Sequence, residues 1–454
     1  MSNFTPENQT NITIFMSSTT MKHPKGLYLL FFTEMWERFS YYGMRAMLIL
    51  YLTKSALEGG LGFDVRQASL IYGFFTGFVY FTPLIGGWLA DNYLGQRKSI
   101  TIGGLTMMLG QFCLATKADP LFLTIGLLLL IVGNGFFKPN IAVLVGDLYP
   151  LTDSRKDSAF TIFYMGVNIG ALIAPLVTGY LAVTYGYRWG FFTAGAGMLL
   201  GQVFYNALSN RLLGQIGKKP VIRKDENGKG EKKPLTKDEK DRTMVIFILV
   251  AFCTFFWAGF EQAGSSMSLY TEKFINRDIL GYTIPTEWLQ SVNPVFIITL
   301  APVFSVLWNL LSRYHKEPSI PVKMGCGMIL LGLGFVLMVG AALERENCIS
   351  ADAKANLLWL IGAYLLHTMG ELCLSPIGLS MVSKLSPVRL VSFMMGVWFL
   401  SSFLANIAGG VIASFFSQLG ALSIFASIAV VSVLLGIILL SMSSWLSIKM
   451  RGIK

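Results

Sequence analysis

Four ionisable side chains lie within one apolar stretch near the start of the chain, where they could carry charge or protons inside a membrane. They are Glu34, Glu37, Arg38 and Arg45. A helix turns by about 100° per residue, which puts all four on one side. A charged group near the bilayer centre costs roughly 3 kcal/mol, so this side is expected to face a bundle interior or a water-filled cavity. We interpret it as a candidate functional site. The alternative is a paired network that only fixes helix packing.

Three further ionisable residues interrupt later apolar stretches, and they are divided between the two halves of the chain. They are Lys138, Glu261 and Glu371. Each acid is a possible proton site, because its proton affinity depends on whether it faces a cation. Opposed charges across a cavity can form gates that close when paired and open when the acid takes up a proton.

The composition excludes a soluble globular protein. Of 454 residues, 54% are hydrophobic and 13% are charged, and the mean hydropathy is +0.59. The net charge is +11, but the cations are dispersed among short loops and one linker, so no nucleic-acid partner is predicted. The five cysteines are isolated and lack metal-ligand spacing, so neither a metal site nor a cofactor is predicted. The chain is interpreted as a polytopic membrane protein whose surroundings are the lipid bilayer.

Apolar windows predict twelve transmembrane helices and an all-α fold of two six-helix bundles. The predicted spans lie near 26–52, 66–90, 99–117, 121–147, 158–183, 189–212, 243–268, 291–313, 320–342, 355–385, 388–417 and 421–448. The predicted domains are a polar tail over 1–25, a bundle over 26–212, a polar linker over 213–242, a bundle over 243–448 and a tail over 449–454. The linker is rich in Lys, Glu and Gly, as flexible tethers are.

Loop charges predict the orientation of the chain. Loops on the side of the termini carry the paired cations Arg97 with Lys98 and Arg313 with Lys316. The positive-inside rule therefore predicts that both termini and the linker are cytoplasmic in a cell membrane. Two six-helix halves are also the architecture of major facilitator transporters, whose substrate site lies near the midplane. Residues 86–98, with small residues followed by Asp91, resemble the cytoplasmic loop motif of that superfamily.

Seven ordered stretches carry a more specific resemblance. Residues 34–38 resemble the ExxER motif of the proton-dependent oligopeptide transporter family of the major facilitator superfamily. Further agreement occurs at 133–140, 163–172, 256–265, 290–294, 371–375 and 395–399, so that the resemblance covers essentially all twelve spans. The chain departs from some relatives in having no room for two extra helices between its halves or for a large domain after the ninth helix.

The resemblance implies a proton-coupled symporter that imports di- and tripeptides by alternating access. It implies that Arg45 and Lys138 attract the peptide carboxylate. The amino end would be held by Asn168, Asn293 and Glu371. Such a clamp suits a zwitterion, because the bases lie in one half and the acid in the other.

Other substrate-binding residues follow from the same resemblance. Aromatic side chains expected to line pockets for the peptide side chains are Tyr42, Tyr80, Trp257 and Trp398. Ser375 belongs to the matching stretch around Glu371 and is included among the predicted substrate-binding residues.

For protons, the resemblance implies coupling through Glu34, Glu37 and Glu261, with Arg38 tuning the first two. The hypothesis includes an extracellular gate that pairs Arg45 with Glu261. An intracellular gate would pair Lys138 with Glu371. No cofactor beyond the coupling proton is predicted, and the protein is expected to function as a monomer.

Two aromatic residues are interpreted as packing residues. Tyr72 is assigned to the core. His367, one turn before Glu371, could relay protons, but helix packing is the preferred interpretation.

Three alternative functions stay open to different degrees. The fold could carry another small solute, such as nitrate or an amino-acid-like compound. A membrane enzyme is disfavoured, because no Gly-x-Ser-x-Gly, His-Glu-x-x-His or paired intramembrane aspartate pattern is present. A flux measurement is needed to exclude a receptor that binds peptide without moving it across the membrane.

Overall fold

The computed structural model describes residues 22–150, 153, 155–220, 235–347, 353–387 and 390–450. Over these residues the chain is helical apart from short connections and one small hairpin. The α-helices are α1 Lys25–Thr53, α2 Val65–Leu89, α3 Gln96–Thr116, α4 Pro120–Asp147, α5 Arg155–Tyr185, α6 Tyr187–Leu212, α7 Lys237–Phe260, α8 Ser266–Phe274, α9 Val292–Arg313, α10 Ile320–Glu346, α11 Leu357–Leu385, α12 Val391–Ser414 and α13 Phe416–Lys449. The hairpin pairs β1 Asp278–Ile279 with β2 Tyr282–Thr283.

The thirteen helices of the described ranges make twelve spans, because a 3₁₀ turn at Glu261–Gly264 joins α7 and α8 into one. Ten spans are long and apolar enough to cross a membrane on composition alone. The other two are α1, which carries the charged stripe, and α6. A search by apolarity alone therefore misses membrane-spanning helices whose polar groups face the protein interior.

The helices separate into two groups of six spans. In the first, α1 packs on α5 and α6, while α3 packs on α4 and α6. In the second, α10 packs on α11 and α13, while α7 packs on α12. The predicted architecture of two six-helix bundles is therefore present. The exact domain limits stay a prediction, because 1–21, 221–234 and 451–454 lie outside the described residues.

Polar side chains fix several helix starts. Asp64 accepts a hydrogen bond from the Gln67 backbone N–H at 2.9 Å and caps α2. Thr236 and Glu239 form a reciprocal capping box at the start of α7. These bonds satisfy backbone donors that the first helical turn leaves without partners. The caps therefore stabilise the first turns of α2 and α7.

The two groups meet at the end of the molecule away from the chain termini, which we call the far end. We call the end that carries Lys25 and Lys449 the near end. Ser291 Oγ donates to the Leu172 carbonyl oxygen at 2.7 Å, and Trp288 Nε1 donates to a second carbonyl of α5 at 2.9 Å. These bonds link the 3₁₀ segment before α9 to α5 in the other half. The far end is therefore closed by direct contact between the halves.

Glycine makes a second contact between the halves possible. A Cβ at Gly73 of α2 would lie 2.6 Å from Gly410 Cα of α12. That distance is below any normal carbon–carbon contact, so only glycine permits the approach, as at small-residue crossings in other membrane proteins.

We expect Gly73→Ala to lower the stability of the protein by about 1–3 kcal/mol, because overpacking must separate α2 from α12. Gly396→Ala on α12 is the matched control, since a Cβ there meets nothing within 4 Å. That control should be neutral or stabilising, because alanine favours helix more than glycine does. Thermal unfolding of both purified variants in detergent measures the difference. An equal response of the two variants would contradict the close approach.

Candidate functional site

A cavity lies between the two halves, level with the 3₁₀ turn that joins α7 and α8. Its volume is about 180 Å³, which is enough for several water molecules or a small solute. The predicted site residues that line it are Tyr42, Arg45, Tyr80, Asn168, Trp257, Glu261, Asn293 and Glu371. The structure thus brings residues from six α-helices, one 3₁₀ turn and both halves to one place.

The acidic cluster of α1 lies beside this cavity and is almost fully buried. Glu34, Glu37 and Arg38 are exposed by 5%, 0% and 4%. Arg38 Nε contacts Glu37 and lies 3.1 Å from Glu34 Oε1, one turn earlier. Asn134 of α4 donates a weaker hydrogen bond to Glu37 at 3.4 Å. Two carboxylates therefore share one guanidinium, which leaves one negative charge to be neutralised by a proton or by a nearby cation.

An ion pair between Arg45 and Glu261 crosses from one half to the other. Arg45 Nη2 of α1 contacts Glu261 Oε2 in the 3₁₀ turn between α7 and α8. Arg45 Nε also donates to Tyr72 Oη at 2.8 Å. Both residues of the pair line the cavity, so the pair forms its far wall.

The contact between Tyr72 and Arg45 was not predicted from the sequence. Its ring is buried, as expected for a core residue, but its hydroxyl accepts the Arg45 bond and so belongs to the site. Its position on α2, far from Arg45 in sequence, gave no signal, because a tyrosine in an apolar span is ordinarily a packing residue.

The second predicted pair, Lys138 with Glu371, is not formed. Lys138 Nζ lies 4.1 Å from the centre of the Tyr80 ring, a cation–π distance. Glu371 instead accepts a hydrogen bond from Asn293 Nδ2 at 3.1 Å. Lys138 is also not among the residues that line the cavity. The Arg45–Glu261 pair is therefore closed while these two charges are apart.

The remaining predicted residues divide between cavity and packing. Tyr42, Tyr80 and Trp257 line the cavity, whereas Trp398 packs on the hydrophobic core and does not line it. The Ser375 side chain lies outside what the structure describes.

Three further polar residues line the cavity and were not predicted from the sequence. Tyr164 lies one turn before Asn168 on α5, and Tyr364 lies two turns before Glu371 on α11, so helical spacing could have indicated both. Gln290 donates to the Ala263 carbonyl oxygen at 2.6 Å and so holds the 3₁₀ turn that carries Glu261.

His367 packs against Phe335 with the two rings tilted by 38° and their centres 4.7 Å apart. It is buried and also borders the cavity. This contact fits the packing interpretation of this histidine.

A second ionic cluster lies outside the cavity at the far end. Lys54 Nζ, after α1, lies 2.9 Å from Glu272 Oε1 of α8, and Arg277 lies 3.1 Å from Glu272 Oε2. Thr286 donates to the same carboxylate at 2.5 Å. This cluster also crosses between the halves and adds to the closure of the far end. Sequence reasoning missed it because charged residues near helix ends are ordinary in membrane proteins.

One ion pair near the start of α5 has a purely structural character. Hydrogen bonds from the Arg155 side chain and backbone lower the pKa of Asp153 to about 2. Asp153 therefore stays ionised at neutral pH and does not carry protons there.

Among the described residues, no cluster of three His, Cys, Asp or Glu side chains could hold a metal ion. The cavity lining itself offers a cation at Arg45 and carboxyl groups at Glu261 and Glu371, which can bind charged groups and exchange protons.

Comparison with known families identifies the architecture. The sequence model of the POT family matches residues 97–227 and 221–431. The chain belongs to the POT family. This confirms the resemblance drawn from residues 34–38 and the six later stretches.

Individual POT-family proteins are similar along nearly the whole chain. Peptide transporter YePEPT of Yersinia enterocolitica subsp. palearctica serotype O:3 (strain YE-P4) is 36% identical over 453 residues, 87% of this chain and 88% of the relative. The Di-/tripeptide transporter of Lactococcus lactis subsp. cremoris is 32% identical over 480 residues, 93% of this chain and 95% of the relative. A crystal structure of a mutant peptide transporter POT in complex with alafosfalin matches with a TM-score of 0.89 at 33% identity, covering 95% of this chain and 97% of that one.

The POT-family chain is therefore a multi-pass membrane transporter with the major facilitator fold, and not an enzyme. The predicted fold class is confirmed. Its cavity lies between the two bundles, where transporters of this fold bind their substrates.

Proposed function

We propose that this protein is a proton-coupled symporter that imports di- and tripeptides by alternating access. The observation that carries the proposal is the charge distribution of the cavity. Arg45 contributes a cation from the first half, while Glu371 contributes an acid from the second half. A peptide zwitterion complements that arrangement, whereas a simple anion or cation complements only part of it. The peptide-transporter relatives support the same substrate class.

The peptide termini are assigned to opposite sides of the cavity. In this proposal Arg45 and Lys138 attract the carboxylate, and Lys138 leaves the Tyr80 ring to do so. The amino end binds Asn168, Asn293 and Glu371. Asn293 already donates to Glu371, which holds that carboxyl group at the cavity lining. Aromatic rings, including Trp257, provide apolar surface for varied side chains.

Proton coupling is assigned to the carboxylates beside Arg38 and to Glu261. A proton on Glu261 removes its charge and releases Arg45, which then meets the substrate carboxylate. Glu34 and Glu37 share one guanidinium, so a proton there is exchanged as nearby charges change. The substrate carboxylate and the Glu261 carboxylate thus compete for Arg45, and a proton on Glu261 favours the substrate, which couples the movements of proton and substrate.

The orientation completes the proposal. With cytoplasmic termini in the cell membrane, the closed far end is extracellular. The state with Arg45–Glu261 paired and Lys138–Glu371 apart then corresponds to a cavity that opens toward the cytoplasm. Each protomer holds all the named residues, so we propose that a monomer is functional.

The test is uptake of a labelled dipeptide by liposomes that contain the purified protein. An inward proton gradient should drive accumulation, and a protonophore should abolish it. Glu37→Gln should abolish accumulation too, because the cluster then lacks one exchangeable proton. The matched control is Glu346→Gln, the same change at an exposed residue at the end of α10, which should retain uptake.

The opposite outcome would redirect the substrate assignment. If folded protein takes up no dipeptide but accumulates nitrate or an amino-acid-like compound, the fold assignment stands and the peptide proposal fails. Binding of dipeptide without flux would favour a receptor.

A further inference from the structure

A basic groove lies at the near end between α3 and α6, far from the transport cavity. Its volume is about 460 Å³. Residues of its lining that carry the argument are Arg97, Lys98, Tyr205, Asn206 and Lys218. None of them lines the cavity between the halves.

Arg97 is a buried cation whose hydrogen-bond partners are all neutral. It is 8% exposed. Its guanidinium donates to the Gly214 carbonyl at 3.0 Å, to Ser209 Oγ at 2.9 Å and to Asn210 Oδ1 at 2.7 Å. No carboxylate of the described residues lies within ion-pair distance of it. A buried cation without a counter-charge is costly, so the groove favours an anionic ligand.

Two lysines add positive charge at the rim of the groove. Lys98 is exposed and Lys218 is partly exposed, and in the described ranges neither forms an ion pair. The first turn of α3, which begins at Gln96, also directs the positive end of its helix dipole to this place.

The Tyr205 hydroxyl is a second buried polar group at the groove, next to Arg97. Tyr205 is 1% exposed, and its hydroxyl, beside Arg97, has no hydrogen-bond partner of normal geometry in the part of the chain that the structure describes. A buried hydroxyl without a partner costs free energy, which an anionic oxygen in the groove would recover.

The surroundings of the groove select a lipid over a free anion. Below it, α3 and α6 present apolar side chains to the outside, including Leu105, Leu109, Leu200 and Val203, exposed by 40%, 54%, 44% and 55%. A ligand with a phosphate and acyl chains can satisfy both surfaces at once. Basic pockets between transmembrane helices suit anionic headgroups in this way.

We propose that this groove binds the phosphate headgroup of an anionic phospholipid, with the acyl chains along α3 and α6. The site would hold the α2–α3 loop and the start of the linker together, because Arg97 already bonds Gly214 there.

The test measures lipid binding to purified protein in detergent by native mass spectrometry. Dioleoyl phosphatidylglycerol should bind, and dioleoyl phosphatidylcholine should bind much more weakly. Lys98→Gln with Lys218→Gln should weaken phosphatidylglycerol binding by about 25-fold, which is about fivefold for each lysine. Arg97 is left intact because its bonds hold the loop structure.

The control is Lys316→Gln with Lys384→Gln, which removes the same charge from exposed sites at the near end of the other half. It should leave the binding unchanged. An equal loss in the control would overturn the site, as would no loss in the groove variant.

A competition experiment adds inorganic phosphate or glycerophosphate to the protein with bound lipid. If either displaces the lipid at equal concentration, the groove is a site for soluble phosphate and the lipid proposal fails. Retained dipeptide uptake verifies that both variants are folded.

Discussion

Glu261→Gln is expected to reduce proton-driven accumulation of dipeptide at least about tenfold while leaving exchange of dipeptide across the liposome membrane in place. The amide is close to the carboxylate in size, but it can neither ion-pair with Arg45 nor carry a proton. Arg45 then stays available to the substrate, so binding and exchange survive without the gradient. Parallel assays of gradient-driven uptake and of counterflow between equal pH values measure the two activities separately.

The two assays also separate this effect from a folding defect. A misfolded variant would lose both activities, whereas the proposal requires that only accumulation is lost. Glu346→Gln serves as the exposed control and should retain both. Full gradient-driven accumulation by Glu261→Gln would exclude Glu261 from proton coupling.

The fold was largely predictable because the bilayer permits few alternatives. Backbone groups in hydrocarbon must pair internally, so each apolar run of sufficient length becomes a helix. The span predicted at 121–147 is α4, Pro120–Asp147, and the span predicted at 355–385 is α11, Leu357–Leu385. The break between α7 and α8 was not predicted, because no proline marks Glu261–Gly264 and its geometry depends on bonds such as that of Gln290.

Without the family resemblance, the candidate site was predictable only where residues are costly to bury. Glu261 and Glu371 stand out because intramembrane charge is rare, and both line the cavity. Tyr72 and Gln290 are ordinary in a helix bundle and gained significance only from their partners. Lys138 shows a different limit of prediction from the sequence. Its type indicated a functional residue, but in the proposed alternating-access cycle its partner changes with the conformation of the two halves, which a sequence does not specify.

Arg38→Met is expected to destabilise the protein by about 3–5 kcal/mol, the usual effect of removing one partner from a buried ion pair. Methionine keeps much of the side-chain volume, so the loss is mainly electrostatic. Glu34 and Glu37 would remain buried beside each other without the guanidinium that lies 3.1 Å from Glu34. Denaturant unfolding of the purified variant in detergent measures the difference.

Neutralising the carboxylates should recover part of the lost stability. This recovery distinguishes an electrostatic effect of Arg38 from a packing effect. Adding Glu37→Gln to Arg38→Met should recover part of the stability, because only one uncompensated carboxylate then remains. Acidification should also narrow the gap between Arg38→Met and the parent, since a protonated carboxyl needs no counter-charge. A gap that stays constant with pH and is unaffected by Glu37→Gln would mean that Arg38 acts through packing alone. The α1 cluster would then be a structural network, and proton coupling would have to reside in Glu261 and the acids of the second half.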